Sequence, residues 1–366
     1  MRFQCNKNAL SDAVSNVQRA VSSKSTMPAL EGVLMRSENG RLTLCGYDLE
    51  LCITTSIDAD IQEEGAAVVK ARLFAEIIRK LPENKISVMV DDKNIVYISS
   101  GNVDYKIVGI PAADYPEIPV INSNDRINLS GELFSGMIRQ TIYAIAENDI
   151  KPINRGVLFE IEEHVMTMVA LDGYRLAIRT ETIEYEKDKY FIVPGKSLFE
   201  VLRLIGENTE TISITACGRH IIFRIDDYCI ISRLIDGQFI NYKASLPTKH
   251  STELRVNTRK FIDVVERMSL LLTDKMKSPV RCMIDEGKIK TTCSTTLGQA
   301  HDEIEVQMTG DTVEIGFNNR FLLDALRNSE TDEVIMELSG SNKAIVVKPT
   351  EGNSFLFMLM PMRLSR

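Results

Sequence analysis

Leu73-Phe74-Ala75-Glu76-Ile77-Ile78-Arg79 returns as Ser197-Leu198-Phe199-Glu200-Val201-Leu202-Arg203, and again as Phe321-Leu322-Leu323-Asp324-Ala325-Leu326-Arg327. The acidic residue moves from 76 to 200 to 324 and the arginine from 79 to 203 to 327, in equal steps of 124. Solenoid units usually repeat every 20–50 residues or so, so a period this long is a domain. Three copies of one domain make function a question of architecture before it is one of a single active site.

A chain of 366 residues has room for three domains, each able to bury its own core. Hydrophobic residues at 44% and charged residues at 26% are ordinary for a globular protein. No apolar run reaches the ~18 residues of a membrane span, and the opening Met1-Arg2-Phe3-Gln4-Cys5 has no signal-peptide core, so a cytoplasmic location is expected. The seven cysteines are scattered, form no CxxC and have no histidine at ligand spacing. They read as small buried hydrophobes, and no metal or other cofactor is expected. The net charge of −8 alone argues against nucleic acid, unless the basic residues are confined to one face.

Each copy reads as β-α-β-β-β, twice over. Copy one opens with a strand at 2–5 and a helix at 9–21, for which Asn8 is the N-cap candidate and Leu10, Ala13, Val14, Val17 and Val21 the apolar face. Strands are expected at 31–35, 41–45 and 49–56, then at 66–70, then a helix at 73–81 stopped by Pro82, then strands at 85–90, 94–99 and 103–107. Copy two begins at 127–129 with a helix over 132–147, and its Gly156 lies 124 after Gly32. Copy three begins at 253–256 with a helix over 259–272. Proline-bearing joins at 111–119 and 239–247 set the domains at 1–119, 120–247 and 248–366.

Helices packed on one face of sheets give a layered α+β unit. Equivalent domains can continue one another's sheets by edge pairing, which also protects the edges. Three in a row leave one free edge at each end, and a second copy placed head to tail can satisfy both. The candidate edge holds Tyr105 and Ile107. Leu270, Leu271 and Leu272 either belong to the core of copy three or lie beside that edge, with Leu271 and Leu272 as the interface candidates. Basic residues recur on or beside the helices: Lys7, Arg19, Lys24, Arg72, Arg79, Lys80, Arg139, Lys196, Arg203, Arg259, Lys260, Arg267, Arg320 and Arg327. A charge run on a helix is ordinarily a solvated face. The threefold recurrence at 79, 203 and 327 instead suits a positive hole that attracts phosphate without reading bases.

Leu359-Met360-Pro361-Met362-Arg363-Leu364 resembles the terminal signature of the bacterial DNA polymerase III beta subunits, the sliding clamps. Leu171-Asp172-Gly173-Tyr174-Arg175-Leu176-Ala177 resembles their "TDGHRLA" segment, and Pro111-Ala112-Ala113-Asp114-Tyr115-Pro116 the segment joining their first two domains. The similarity runs the length of the chain. It implies three tandem copies of a DNA-clamp domain in a head-to-tail homodimer, a six-domain ring with helices lining the hole around double-stranded DNA. It also implies a pocket for short client motifs. By position this pocket takes Leu171, Gly173, Tyr174, Arg175, Leu176, Ile240, Ala244, Ser245, Asn318, Phe321, Ala344, Met358, Leu359, Met360, Pro361, Met362 and Arg363. The residues themselves leave open whether the terminal methionine run is groove or buried strand. Implied partners are the polymerase III alpha subunit, the clamp loader, repair polymerases, mismatch-repair proteins and ligase, with no membrane.

The chain departs from the family pattern at Leu171, Tyr174, Asn154, Ile240, Ala244 and Ser245, where threonine, histidine, leucine and a proline-, arginine- and valine-bearing join are common. Ser365-Arg366 extend past the usual leucine ending and are expected to point to solvent. Processivity in such a ring comes from topology, so weak contacts suffice. No GxxxxGK[ST] loop is present, and His164, His220, His250 and His301 do not recur in the repeat, so an enzyme is not expected. The alternative to a ring is a protein-only interaction scaffold without DNA encirclement.

Overall fold

The computed structural model describes residues 1–121, 123–147, 151–272 and 278–364. The expected Ser365-Arg366 tail lies outside the described residues. Copy one runs β1 (Arg2–Asn6), α1 (Lys7–Val17), β2 (Gly32–Glu38), β3 (Arg41–Tyr47), β4 (Leu51–Asp58) and β5 (Asp60–Glu63). Its second half is β6 (Gly65–Lys70), α2 (Ala71–Lys80), β7 (Lys85–Val90), β8 (Ile95–Ser100) and β9 (Val103–Val108), with the short β10 (Ile110–Pro111) after it. Copy two runs β11 (Ile127–Ser130), α3 (Gly131–Ile142), β12 (Gly156–Glu162), β13 (Val165–Leu171) and β14 (Arg175–Thr182). It continues β15 (Lys189–Pro194), α4 (Gly195–Leu204), β16 (Thr211–Cys217), β17 (His220–Ile225) and β18 (Tyr228–Arg233). Copy three runs β19 (Thr252–Asn257), α5 (Thr258–Ser269), β20 (Val280–Asp285), β21 (Lys288–Thr295), β22 (Gly298–Glu305) and β23 (Gln307–Gly310). Its second half is β24 (Val313–Phe317), α6 (Asn319–Arg327), β25 (Glu333–Leu338), β26 (Ile345–Pro349) and β27 (Phe355–Leu359).

The sheets do not follow the repeat. Contact density divides the chain into one unit of residues 1–134 with 196–234 and another of residues 135–195 with 235–366. The first unit holds a five-stranded sheet, β5-β1-β7-β8-β9, and a nine-stranded one, β10-β6-β2-β3-β4-β18-β17-β16-β11. The latter joins copy one to copy two through β4 and β18, which pair antiparallel from Thr55 opposite Tyr228 to Leu51 opposite Ser232. The second unit holds the nine-stranded β15-β12-β13-β14-β27-β26-β25-β19-β23 and the four-stranded β22-β21-β20-β24. Here copy two meets copy three through β14 and β27, from Arg175 opposite Leu359 to Arg179 opposite Phe355. Copy two therefore gives β11 and β16–β18 to the sheet of one unit and β12–β15 to that of the other. The sheet continuity expected from edge pairing is present twice.

Local chemistry explains the elements. The Asn6 side chain accepts from the backbone N–H groups of Asn8 and Ala9, so Asn6 is the N-cap and α1 starts two residues earlier than expected. Leu10, Ala13, Val14 and Val17 are buried where α1 packs on β3 and β4. The α-helix ends at Val17, and Gln18–Ala20 tighten into a 3-10 turn, short of the expected residue 21. In α2, Phe74, Ile77 and Ile78 are buried while Arg72, Arg79 and Lys80 stay exposed. In α6, Leu322, Leu323 and Leu326 are buried in the same way. The α3 helix ends at Ile142 rather than 147, and α5 at Ser269 rather than 272, so Leu270 and Leu271 form a turn beyond it. Gly32 and Gly156 each enter a strand from a 3-10 turn, Pro28–Glu31 and Pro152–Arg155. A Cβ on Gly32 would lie 2.4 Å from Val68 Cγ1, and one on Gly156 2.7 Å from Ile192 Cγ2, so the 124-residue spacing of these glycines reflects one steric need met twice.

Phe357 is fully buried on β27, stacked on Phe355 at 4.6 Å and edge-on to Tyr143 at 5.5 Å. Phe357→Ala is expected to cost about 3–5 kcal/mol of stability by leaving a cavity, read as a lower urea midpoint in equilibrium unfolding.

Candidate client pocket and helix faces

The turn between β13 and β14 organises the pocket. Asp172 Oδ1 accepts from the backbone N–H groups of Tyr174 and Arg175, both at 2.9 Å, and Gly173 between them has φ 89°. The same turn occurs 124 residues earlier, where Asp48 Oδ1 accepts from Glu50 and Leu51 and Leu49 takes φ 76°. Glycine meets this left-handed conformation without strain, whereas leucine does not.

Arg175 lies over the turn with its side chain only 10% exposed. Its Nε donates to Asp172 Oδ2 at 3.0 Å and its Nη1 to Asp324 Oδ2 at 2.5 Å. The guanidinium carbon sits 4.5 Å from the Phe321 ring centre and 5.5 Å from that of Tyr143. Burial pushes the Tyr143 phenol well above its ordinary range, with the Arg175 charge opposing. Asn318 caps α6, accepting from Arg320 and Phe321, and so fixes the Phe321 ring beneath Tyr174, 6.4 Å centre to centre.

The terminal segment closes the site. Met360 N–H donates to the Tyr174 carbonyl and Met362 N–H to the Gly316 carbonyl, both at 2.8 Å. Leu171, Leu176 and Met358 are buried in one cluster with Phe239 and Tyr242, and Ala344 and Leu246 pack against it. Leu359 is buried too, so Leu171, Leu176, Met358 and Leu359 form a floor rather than a contact surface. Tyr174 at 66%, Ile240 at 43% and Met360 at 41% exposure, with half-buried Pro361 and Met362 and exposed Arg363, are the accessible part. Ala244 and Ser245 lie exposed in a 3-10 turn, and the apolar side chains that the connecting segment sends into the cluster are Phe239, Tyr242 and Leu246. A separate cleft of about 600 Å³ is lined by Leu158, Tyr190, Phe239 and Ile240, and by Lys243, which pairs with Glu160 at 2.9 Å. Sequence reasoning missed Tyr143, Asp172, Asp324, Phe239 and Tyr242. Asp172 and Asp324 had a signal, since both stand at repeat positions.

The helix faces carry fewer bare cations than expected. Arg19 and Arg203 both reach Glu200, Arg72 pairs with Glu76, and Lys196 with Asp48. Arg139 pairs with Glu330, Arg259 with Asp263, Arg267 with Asp302 and Arg327 with Glu266. Lys7 donates to the Leu81 carbonyl. Lys24, Arg79, Lys80 and Lys260 are exposed and make no ion pair among the described residues, and Arg320 is exposed. Of the interface candidates, Tyr105 and Ile107 lie on β9, an edge strand, and Leu271 and Leu272 are half-buried beside the exposed Leu270. The cysteines are mostly buried as expected, and burial pushes Cys5 and Cys282 up to about 12, but Cys217 is exposed.

Family models of the DNA polymerase III beta subunit match in order: the N-terminal domain at residues 1–119, the central domain at 128–241 and the C-terminal domain at 243–363. The chain belongs to the DNA polymerase III beta-subunit family. A beta sliding clamp from Halalkalibacterium halodurans is 29% identical, over 99% of this chain and 100% of its own. The crystal structure of the Bacillus subtilis DNA polymerase sliding clamp matches with a TM-score of 0.96 at 27% identity, covering 100% of both chains. That of the Thermotoga maritima DNA polymerase III beta subunit matches at 0.91 and 27%, again over 100% of both. The chain is thus built of three tandem clamp domains, and it has the sliding-clamp fold throughout. Among the described residues no helix is long and apolar enough to cross a membrane.

Arg175→Ala is expected to cost about 2 kcal/mol, because Asp172 Oδ2 and Asp324 Oδ2 then lose their guanidinium partner. Asp324→Ala added to it should cost less than it does alone, a coupling read by a double-mutant cycle in urea.

Proposed function

We propose that two copies of the chain close head to tail into a ring threaded by duplex DNA, and that the ring tethers a polymerase and other client proteins to their template. One observation carries this reading: the strands that form the two internal joins have unpaired counterparts. β9 occupies in copy one the place of β18 and β27, and β22 occupies in copy three the place of β4 and β14, yet both are sheet edges. A second copy supplies each with its partner. Leu271 and Leu272 would flank that contact.

The domains of the reading are 1–119, 120–247 and 248–366. The apolar, methionine-bearing rim around Tyr174, Ile240 and Met360 suits a short peptide whose anchors enter beside a fixed floor, and Met accommodates several sequences. Clients would be the polymerase III alpha subunit, the loader that opens the ring, repair polymerases, mismatch-repair proteins and ligase. Tyr174, Ala244 and Ser245 would shift preference among their motifs. The chain itself would catalyse nothing and would work in the cytoplasm at the chromosome.

The paired cations do not require the other reading, a protein scaffold that never meets DNA. Exposed ion pairs are worth at most about 1 kcal/mol, so phosphate can displace the carboxylates as the duplex passes. Such exchangeable contacts permit sliding. Topology separates the two readings. Loaded protein should stay on a closed circle and leave once the DNA is linearised, whereas equal retention on both forms rejects the ring. Arg79, Arg203 and Arg327 changed together to Glu should weaken loading at least several-fold, with client-peptide affinity unchanged. Removing residues 360–366 should abolish peptide binding, measured by fluorescence anisotropy, and leave dimer mass intact.

A further inference from the structure

The two joins inside the chain share one register. At the first, Cys52 faces Ile231 and Ile53 faces Ile230; at the second, the corresponding Leu176 faces Met358 and Ala177 faces Phe357. The hairpins carry this register to the unpaired strands. Val103 follows Ser100 across the β8–β9 turn as Tyr228 follows Ile225 across β17–β18. Lys288 answers Asp285 in β20–β21 as Arg41 answers Glu38 in β2–β3, and β22 pairs with β21 in the same frame as β4 with β3. Gln299 therefore stands where Cys52 and Leu176 stand, and Lys106 where Ile231 and Met358 stand.

Resting on the head-to-tail reading above, we propose that β22 pairs with β9 of a second copy in this register, seating Tyr105 over Ala300 and setting Asp104 opposite His301, so that a protonated His301 tightens the seam. Tyr105 on Ala300 repeats the large-on-small pair that Phe357 makes with Ala177. The other face of the seam differs. Thr54 with Cys229, and Ile178 with Leu356, hold the Asp104–His301 position at the internal joins, and neither pair carries charge. Lys106 and Gln299 likewise replace the apolar pairs Ile231–Cys52 and Met358–Leu176. The seam between chains alone is polar on this face, as a surface exposed whenever the ring opens has to be.

Asp104 and His301 are exposed, and Asp104 has no ion pair among the described residues. Directly opposite side chains in an antiparallel pair lie about 5 Å apart and diagonal ones about 7–8 Å. Lys106, on the diagonal from His301, is drawn over its own Tyr97 ring at 5.5 Å. Glu303 shares the His301 face and is held by Lys288 at 2.8 Å, with Lys290 across from it. On the opposite face Asp302 is bound by Arg267 of α5 at 2.6 Å. The unanswered charge in front of His301 is thus the partner's Asp104. Histidine gains its proton between about pH 8 and 5, where aspartate remains ionised, so attraction is present at low pH and lost as pH rises.

The full-length chain carrying both Tyr105→Cys and Ala300→Cys should become a covalent dimer under mild oxidation. Tyr105→Cys with Gln299→Cys, which point to opposite faces, should not, and Tyr105→Cys alone reports background from exposed Cys217. By sedimentation, the dimer dissociation constant should fall about 2- to 25-fold from pH 8 to pH 6, two seams each gaining one exposed charge pair. His301→Gln and Asp104→Asn should each flatten that dependence while remaining dimeric. A dimer cross-linked in another register, or one whose pH dependence survives both substitutions, overturns the inference and leaves the ring reading standing. A monomer at every concentration and pH overturns both.

Discussion

Edge-to-edge backbone pairing between copies is the constraint on which the rest depends. A β-strand at the rim of a sheet has unmet donors and acceptors, and three tandem copies would present such rims repeatedly. Here β4 takes β18 and β14 takes β27, so two rims vanish into nine-stranded sheets. The Asp172–Arg175 turn and the chain terminus are arranged around the second join. The Asp172 turn sits at the mouth of the second one, and the residues that follow β27 fold back across it to hydrogen-bond Tyr174. The proposed client pocket is an outgrowth of the seam rather than an independent cleft.

The same arrangement shows how one repeat position acquires different work. Glu76 is exposed and braces Arg72 on its own helix, while Glu200 is buried and gathers Arg19 and Arg203. Asp324 orients the arginine that stands between two rings in the pocket. Duplication supplied three identical helix faces, and divergence of the neighbours assigned each carboxylate its partner. An acidic protein can still meet phosphate on such faces, because local partners at the surface are weakly held and readily exchanged.

Much of this was legible in the sequence because repetition tests its own reading. The 124-residue step gave the order of strands and helices in the copies, and the terminal methionine run with Asp172-Gly173-Tyr174-Arg175 pointed to two segments that the structure brings together through the Met360 N–H and the Tyr174 carbonyl. Helix ends were read less well. Asn6 and Asn8 are equally good capping residues by type, and only the side-chain geometry of Asn6 chooses between them. Val21 and the leucines at 270–272 extend the apolar helical spacing although the backbone has already tightened or turned. The ion pairs between elements were not legible, since Arg327 with Glu266 and Arg267 with Asp302 depend on neighbours far apart in sequence. Nor was the division of copy two between units, because composition shifts mark joins between repeats and not joins between sheets.

That division has a bearing on how the protein is made. During synthesis β14 emerges long before its sheet partner β27, and it keeps an open edge until residues 355–359 leave the ribosome. A nascent chain broken off earlier would lack the strand that covers that rim and also the segment that hydrogen-bonds Tyr174 at the proposed client groove. Under the proposed function, such products would fail to recruit clients instead of competing with intact molecules for them.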